Sequence, residues 1–256
     1  MAALSDIRYI VFGVQFNHSF KLLDYWGEIA DDILYKSEYF GCEFFSNIST
    51  HYTTERSLNN PNTGNFLNLS SNNLVFKYNL PSNKVFDSEY DYFCVRVNKY
   101  LVEKILSKYN LVIRRIGVVF ACALDKNEML KFARRYFKDD MQGITDFRFA
   151  QKEATSSGQL WHGTQDYINK IFTVGMIDDV EKFKGVTYDF QLYYEPLMPD
   201  IRKPCPVFLK KGLEYFKKDI LGWERAMGSQ KYRRKKSSQE ARQYRINLGD
   251  NERNLS

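Results

Sequence analysis

Two apolar runs set the plan of this chain. Residues 7–16 read IRYIVFGVQF and residues 111–124 read LVIRRIGVVFACAL. Both are short, rich in Val, Ile and Phe, and apolar at odd and even positions alike. A strand shows alternate residues to its two faces, so such a run is a strand covered on both. Each run opens a half of the chain, and the same succession of patterns follows each.

After the first run, Leu22, Leu23, Trp26, Ile29, Ala30, Ile33 and Leu34 recur at helical spacing. Lys21, Asp24, Glu28, Asp31 and Asp32 lie opposite them, which predicts an amphipathic helix over about residues 20–36. Residues 41–55 then alternate Phe44, Ile48 and Tyr52 with Asn47, Ser49 and His51, a strand pattern. Residues 65–69 and 74–79 flank Ser-Ser-Asn-Asn at 70–73, which predicts a hairpin. Phe93, Val97, Tyr100, Leu101 and Ile105 predict a second helix over 89–108.

The second half repeats this order. Asp125 and Glu128 form a capping-box pair, since each carboxylate can accept a hydrogen bond from a backbone N–H at the start of a helix. That helix runs through Met129, Leu130, Phe132, Ala133, Tyr136 and Phe137. Strands are expected near 143–153, 157–163, 166–177 and 185–195. In the last, Val186, Tyr188, Phe190, Leu192 and Tyr194 alternate with Thr187, Asp189, Gln191, Tyr193 and Glu195, the mark of an antiparallel sheet with one wet face. Pro206 is expected to open the final helix, with Leu209, Leu213, Phe216, Ile220 and Trp223 as its apolar stripe and Gly228 at its end.

The opening strands also match at a shift of 106 residues, where Ile7-Arg8-Tyr9-Ile10 falls on Ile113-Arg114-Arg115-Ile116. Order and match together predict an internally duplicated α+β fold. Two similar strand–helix–strands–helix units with mostly antiparallel sheets are expected, at residues 1–109 and 110–228 and packed as one body. Residues 229–256 are expected to form a flexible, disordered basic tail. Each sheet would bury one face under its two helices. The other face would meet the second unit or stay open as a broad polar surface. The sets Asn47/Ser49/His51/Thr53 and Thr187/Asp189/Gln191/Tyr193 are the residues expected on such a face.

Charge separates body from tail. Of 37 Lys/Arg and 31 Asp/Glu, residues 229–256 hold eight and three, which leaves 29 and 28 for residues 1–228. Nearly all of the formal +6 therefore belongs to the tail. There Lys231, Arg233, Arg234, Lys235, Lys236, Arg242 and Arg245 are interleaved with Tyr232 and Tyr244. Cations displace the counterions condensed on phosphates, and tyrosines stack on bases, so this pattern points to nucleic acid or to an acidic protein partner. Lys210, Lys211, Lys217 and Lys218 on the final helix would extend the basic edge.

Chemistry-bearing motifs are scarce. The sequence has no GxGxxG, GxxxxGK[ST], GxSxG or HExxH. Its three histidines (His18, His51, His162) have no metal-ligand spacing, and its four cysteines make no CxxC pair, so no metal and no cofactor are expected. His51, near Glu55, and His162 are the candidates for acid–base work. His51 and Glu55 would share a face yet lie about 13 Å apart along a strand. The acid pairs Asp31–Asp32, Asp139–Asp140 and Asp178–Asp179 read as solvated faces and caps. The N-terminal residues show neither a signal-peptide pattern nor a membrane-length apolar run, which predicts a cytoplasmic protein without membrane contact.

Three features resemble a sporadically distributed family of bacterial proteins of unknown function. They are the strand Ile7–Phe16, the segment Ile113-Arg114-Arg115-Ile116-Gly117-Val118 after a long amphipathic helix, and the strand 185–195 leading to the last helix. The family's Arg-Ile-Gly is kept at Arg115-Ile116-Gly117. Its following Tyr-Ile-Asn stretch is replaced by Val118-Val119-Phe120-Ala121-Cys122. The resemblance spans most of residues 1–228 and brings no activity with it. The family's patchy distribution implies a place in a multi-component system such as anti-phage defence.

The expected function is thus non-enzymatic binding, with a protein partner on the body and nucleic acid or an acidic partner on the C-terminus. A metal-independent ribonuclease or RNA-processing protein using His51 or His162, and a structural subunit of a larger assembly, are the alternatives.

Overall fold

A computed structural model of the chain describes residues 6–36, 40, 45–46, 55–82, 84–136, 146–154, 162–163, 165–177 and 182–222. Strand β1 is Ile7–Phe16, and β2 (Phe45–Ser46), β3 (Glu55–Asn59), β4 (Phe66–Ser70) and β5 (Asn73–Asn79) complete the strands of the first half. The second half supplies β6 (Ile113–Ala123), β7 (Phe147–Ala154), β8 (Tyr167–Ile177) and β9 (Phe183–Met198). Among the described residues these nine strands form one sheet in the order β2-β3-β4-β5-β1-β6-β9-β8-β7. Every pairing is antiparallel. The architecture is α+β, with a predominantly antiparallel sheet, as expected.

The two expected sheets are in fact one. Strands β1 and β6 pair with each other along most of their length, with Phe12 opposite Val118 and Gly13 opposite Gly117. Each run is apolar on both faces because it lies at the middle of a wide sheet, flanked by partners on both edges. From this seam outward, the first half reads β1, β5, β4, β3 and the second reads β6, β9, β8, β7. In each half the first strand lies innermost, the last strand lies beside it, and the intervening strands follow in reverse chain order.

One face of the sheet is sealed. Ile10, Phe12, Val14, Phe76, Val118, Phe120, Tyr188, Phe190 and Leu192 point to it and are buried. Helix α1 (Phe20–Asp24), helix α2 (Trp26–Asp31, continued by Asp32–Lys36), helix α3 (Phe86–Val95, continued by Arg96–Leu106), helix α4 (Lys126–Tyr136) and helix α5 (Pro204–Phe216, continued by Lys217–Leu221) are the described helices. Phe93 of α3 stacks on Phe76, and Tyr90 of α3 and Phe216 of α5 both pack on Phe120. Phe132 of α4 meets Phe172 of β8. The Tyr90 hydroxyl donates to the Leu209 carbonyl at 2.7 Å and ties α3 to α5. Helix α2 rests on the extension of α3, where the Tyr100 hydroxyl donates to Asp32 and Lys108 pairs with Glu28.

Local sequence accounts for most of these elements. The hairpin between β4 and β5 turns where Ser70 Oγ accepts from the Asn73 N–H at 3.0 Å, a side-chain bond that mimics backbone turn closure. The capping box forms as expected: Glu128 N–H donates to Asp125 Oδ1 at 2.8 Å, and Asp125 N–H donates to Glu128 Oε2 at 3.0 Å. The expected apolar faces of the helices over 20–36 and 89–108 turn inward, although Tyr25 breaks the first into α1 and α2.

The start of the last helix, the turn at 162–163 and the strand β3 differ from expectation. Helix α5 starts at Pro204 rather than Pro206, because a turn in which Arg202 N–H donates to Asp200 Oδ1 leads into it two residues earlier. Its described extension stops at Leu221, so Trp223 and Gly228 lie outside the described residues. His162 and Gly163, expected at the end of a strand, instead form a bend whose N–H groups both donate to Asp166. Strand β3 has no counterpart in the sequence reading, since Glu-Arg-Ser-Leu-Asn offers a single core residue, Leu58. Within the expected strand 41–55 only Phe45–Ser46 and Glu55 are described, and both are strand. Among the described residues no helix is long and apolar enough to cross a membrane.

Candidate functional site

The side chains that point away from the helices form a second, different face. Asn73, Val75 and Asn79 on β5, Tyr9, Val11, Gly13 and Gln15 on β1, and Arg115 and Val119 on β6 are all half-buried. So are Thr187, Asp189 and Tyr193 on β9, and Tyr167, Asn169 and Ile171 on β8, while Arg148 and Lys152 on β7 are exposed. Alternation along each strand separates this face from the sealed one residue by residue. Thr187, Asp189, Gln191 and Tyr193 take the wet side, as the pattern in β9 predicts. The other expected polar set, Asn47/Ser49/His51/Thr53, lies outside the described residues.

At the seam this face is bare on the β1 side. Gly13 and Gly117 sit opposite each other; a Cβ built on Gly13 would meet nothing within 4 Å, whereas one on Gly117 would touch Gln191 Cγ at 3.6 Å and Asp189 Oδ1 at 3.7 Å. Next to the seam runs a chain of polar contacts. Arg115 Nη1 donates to the Tyr193 hydroxyl at 3.2 Å, the Tyr193 hydroxyl donates to Gln191 Oε1 at 3.0 Å, and Gln191 Nε2 donates to Asp189 Oδ2 at 2.5 Å. Burial pushes the Asp189 carboxyl up to about 6, and the Gln191 bond and the charges of Arg115 and Arg148 only partly oppose this.

The same end of the face carries a ladder of cations and aromatic rings. The Tyr167 and Tyr193 rings stack at 4.6 Å with an 8° interplanar angle, as their cross-strand pairing allows. Lys152 Nζ lies 3.7 Å from the outer face of the Tyr167 ring, and the Arg115 guanidinium lies 5.6 Å from the Tyr193 ring. A groove of ≈ 520 Å³ opens beside them, with Gln15, Arg114, Tyr167, Tyr193 and Glu195 among its lining.

One buried carboxylate fixes this end. Asp166 is 1 % exposed and accepts from the N–H groups of His162 (2.5 Å), Gly163 (2.9 Å) and Glu195 (2.6 Å). The turn bearing His162 is thereby clamped to the end of β9. Gly163 is required there, because a Cβ would lie 2.1 Å from the Glu195 carbonyl oxygen.

The residues singled out from sequence are scattered. His162 is exposed beside the ladder's end of the sheet. His51 and the basic residues from Lys231 to Arg245 lie outside the described residues. Lys210, Lys211 and Lys218 are exposed on α5, whereas Lys217 is half-buried and faces Asp87 at 3.7 Å. Asp31 is exposed and Asp32 accepts from Tyr100, while the other two acid pairs lie outside the described residues. Among the described residues no three His, Cys, Asp or Glu side chains are placed to hold a metal ion.

Sequence reasoning missed Tyr167 and Lys152 and saw Arg115 only as part of a repeat and of the family resemblance. Each lies on the wet phase of its strand, so a period-2 reading of β7 and β8 could have put both on the open face. Their stacking depends on the register between β7, β8 and β9, which no local pattern states. No protein-family model and no curated protein matches the chain.

Proposed function

We propose that this chain is a non-enzymatic recognition protein that takes its partner on the open face of the sheet. The observation that carries this reading is the face itself: a broad, half-exposed surface, bare at Gly13, with a connected run from Arg115 to Asp189, opposite a face filled by helices. A broad surface left uncovered by the described helices suits binding, and among the described residues the face offers no nucleophile with an adjacent base.

The body reads as two units, residues 1–109 and 110–228, derived by duplication and joined through β1 and β6. Its support is the shared strand order about the seam and the 106-residue match. That shift carries the buried Ile10, Phe12, Val14 and Phe16 onto the buried Ile116, Val118, Phe120 and Cys122. The basic segment from Lys231 to Arg245 is a second, electrostatic contact to nucleic acid or an acidic partner, extended by the exposed Lys210, Lys211 and Lys218. A role in anti-phage defence or as a subunit of a larger assembly is compatible with both contacts and rests on the resemblance alone. The ribonuclease alternative draws on His162, and loss of RNA cleavage in His162→Ala is the result that would favour it.

Gly13→Trp tests the leading reading. It projects a large ring from the open seam into free space and leaves the helix face untouched. Affinity purification of the full chain, with identification of the protein and nucleic acid that co-purify, is expected to lose the partner in Gly13→Trp while the melting temperature holds. Undiminished capture by that variant would rule out the open face.

A further inference from the structure

We infer that the open face binds single-stranded nucleic acid, with Tyr167 and Tyr193 as the base-stacking platform and Arg115 and Lys152 as the phosphate contacts. The inference rests on the open-face reading above and names the ligand for it.

Single strands are held by two features together: aromatic faces on which bases stack, and cations spaced along the backbone path. The ladder provides both in one place. Tyr193 is fixed from below by its bonds to Arg115 and Gln191, so its ring plane is preset. Tyr167 lies parallel on it and turns its outer face to solvent, covered there by the exposed Lys152 ammonium. An incoming base can replace that ammonium on the ring. The lysine stem is flexible, so the displaced charge swings to the adjoining phosphate at small cost. Arg115 sits at the other end of the stack and is backed by Arg114 in the groove. Arg148, exposed on the edge strand and two wet positions from Lys152, continues the positive line along β7.

The pattern recurs across the sheet. Lys77 Nζ lies 4.3 Å from the Tyr9 ring, and Tyr9 meets Phe183 edge-on at 6.4 Å. Both clusters lie on the open face, at opposite ends of the seam strands. The stretch around Gly13, where a Cβ would meet nothing within 4 Å, separates them and leaves room there for a strand's sugar–phosphate to lie close to the backbone. A double helix presents no unstacked base to either ring, so the platform favours single strands. An acidic peptide would use the same cations but would gain little from two parallel tyrosine rings.

The test is fluorescence anisotropy of the full chain with a 12-nucleotide oligouridylate, a duplex of equal length and a poly-glutamate peptide. Tyr167→Ala and Tyr193→Ala are each expected to weaken oligouridylate binding about 5- to 150-fold and to leave duplex binding unchanged. Tyr167→Phe is expected to restore it, which separates stacking from a folding defect. Lys152→Ala combined with Arg115→Gln is expected to flatten the dependence of log K on log salt by about 1.4 in single-strand binding. The comparison variant carries Gln at Lys231, Arg233, Arg234, Lys235 and Lys236. It should lower single-strand and duplex affinity alike.

Wild-type affinity in both tyrosine variants would overturn the inference, whatever the Gln variant does. So would the absence of any oligouridylate binding, or poly-glutamate binding that the ladder variants abolish. If Gly13→Trp still loses a captured protein in those cases, the open-face reading survives and only the nucleic-acid ligand fails.

Discussion

The two faces of this sheet come from the same strands and differ by one residue of phase. On the helix side, Phe12, Phe76, Phe120, Phe190 and Tyr188 are sealed from water, and even the charged Lys170 is 4 % exposed. On the other side, residues one position along the chain are mostly half-exposed and mix polar side chains with Val11, Val75, Val119 and Ile171. The sealed face bears the stability of the fold, and the open face is free to bear recognition. Substitutions on the first should therefore move the folding equilibrium, and substitutions on the second should move binding.

The largest effect is expected from Phe120→Ala, since Phe120 lies between Tyr90 and Phe216 and joins two helices to the seam strand. A loss of about 3–5 kcal/mol is expected in denaturant titration, and a loss below about 1 kcal/mol would mean the helices do not depend on that contact. Lys170→Ala should cost a comparable amount. Its ammonium bonds Glu153 at 2.6 Å, lies 3.6 Å from Asp219, and sits 4.1 Å over the Tyr215 ring. Removing it takes the cation from Asp219, which also accepts from Tyr188, and from the partly exposed Glu153. Breaking a buried pair costs about 3–5 kcal/mol, and the partial solvation of Glu153 puts this loss at the lower end, whereas Lys170→Met combined with Asp219→Asn should recover much of it.

Asp189 makes a smaller and opposite contribution, because it is a carboxylate of the open face that is nonetheless desolvated. Its folded-state value is raised, to about 6 from 3.8. The folded state therefore favours the proton. The associated stability is fully present below pH 3.8 and is lost as the pH rises through about 6. Asp189→Asn should flatten this dependence and stabilise the protein by up to about 3 kcal/mol above it. A pH–stability profile unchanged by the substitution would contradict the assignment.

The smallest effects come from a pair of glycines. A Cβ on Gly212 of α5 would lie 2.6 Å from Val118 Cγ1 and 3.3 Å from Phe190, so Gly212→Ala should cost about 1–2 kcal/mol despite the better helix propensity of alanine. A Cβ on Gly13 would meet nothing within 4 Å, so Gly13→Ala should gain about 0.5 kcal/mol. Equal responses at the two sites would erase the distinction between the faces.

Much of the sealed face was legible in the sequence. The apolar runs, the capping box at Asp125 and Glu128, the 70–73 hairpin and the helix stripes are local, and burial of a repeating pattern has one geometric solution in each case. Strand β3 was not legible, because Leu58 alone supplies its core signal. Nor was the turn at His162 and Gly163, which is held by Asp166 rather than by any turn sequence of its own. The polar phase of β9 was legible as a wet face, yet the residues that complete its site were not.

Alternation, amphipathic spacing and the order of elements in each half determined the α+β class, the antiparallel tendency and the polar phase of β9. These follow from the chain itself, since a strand's two faces and a helix's stripe are fixed by residue spacing. Only the tertiary structure decided that β1 and β6 meet edge to edge, that the seam is bare at Gly13, and that Lys152, Tyr167, Tyr193 and Arg115 stand in one ladder. Those outcomes depend on strand neighbours and register across residues far apart in the chain. Periodicity is blind to both, because a shift of two residues preserves every face and changes every partner.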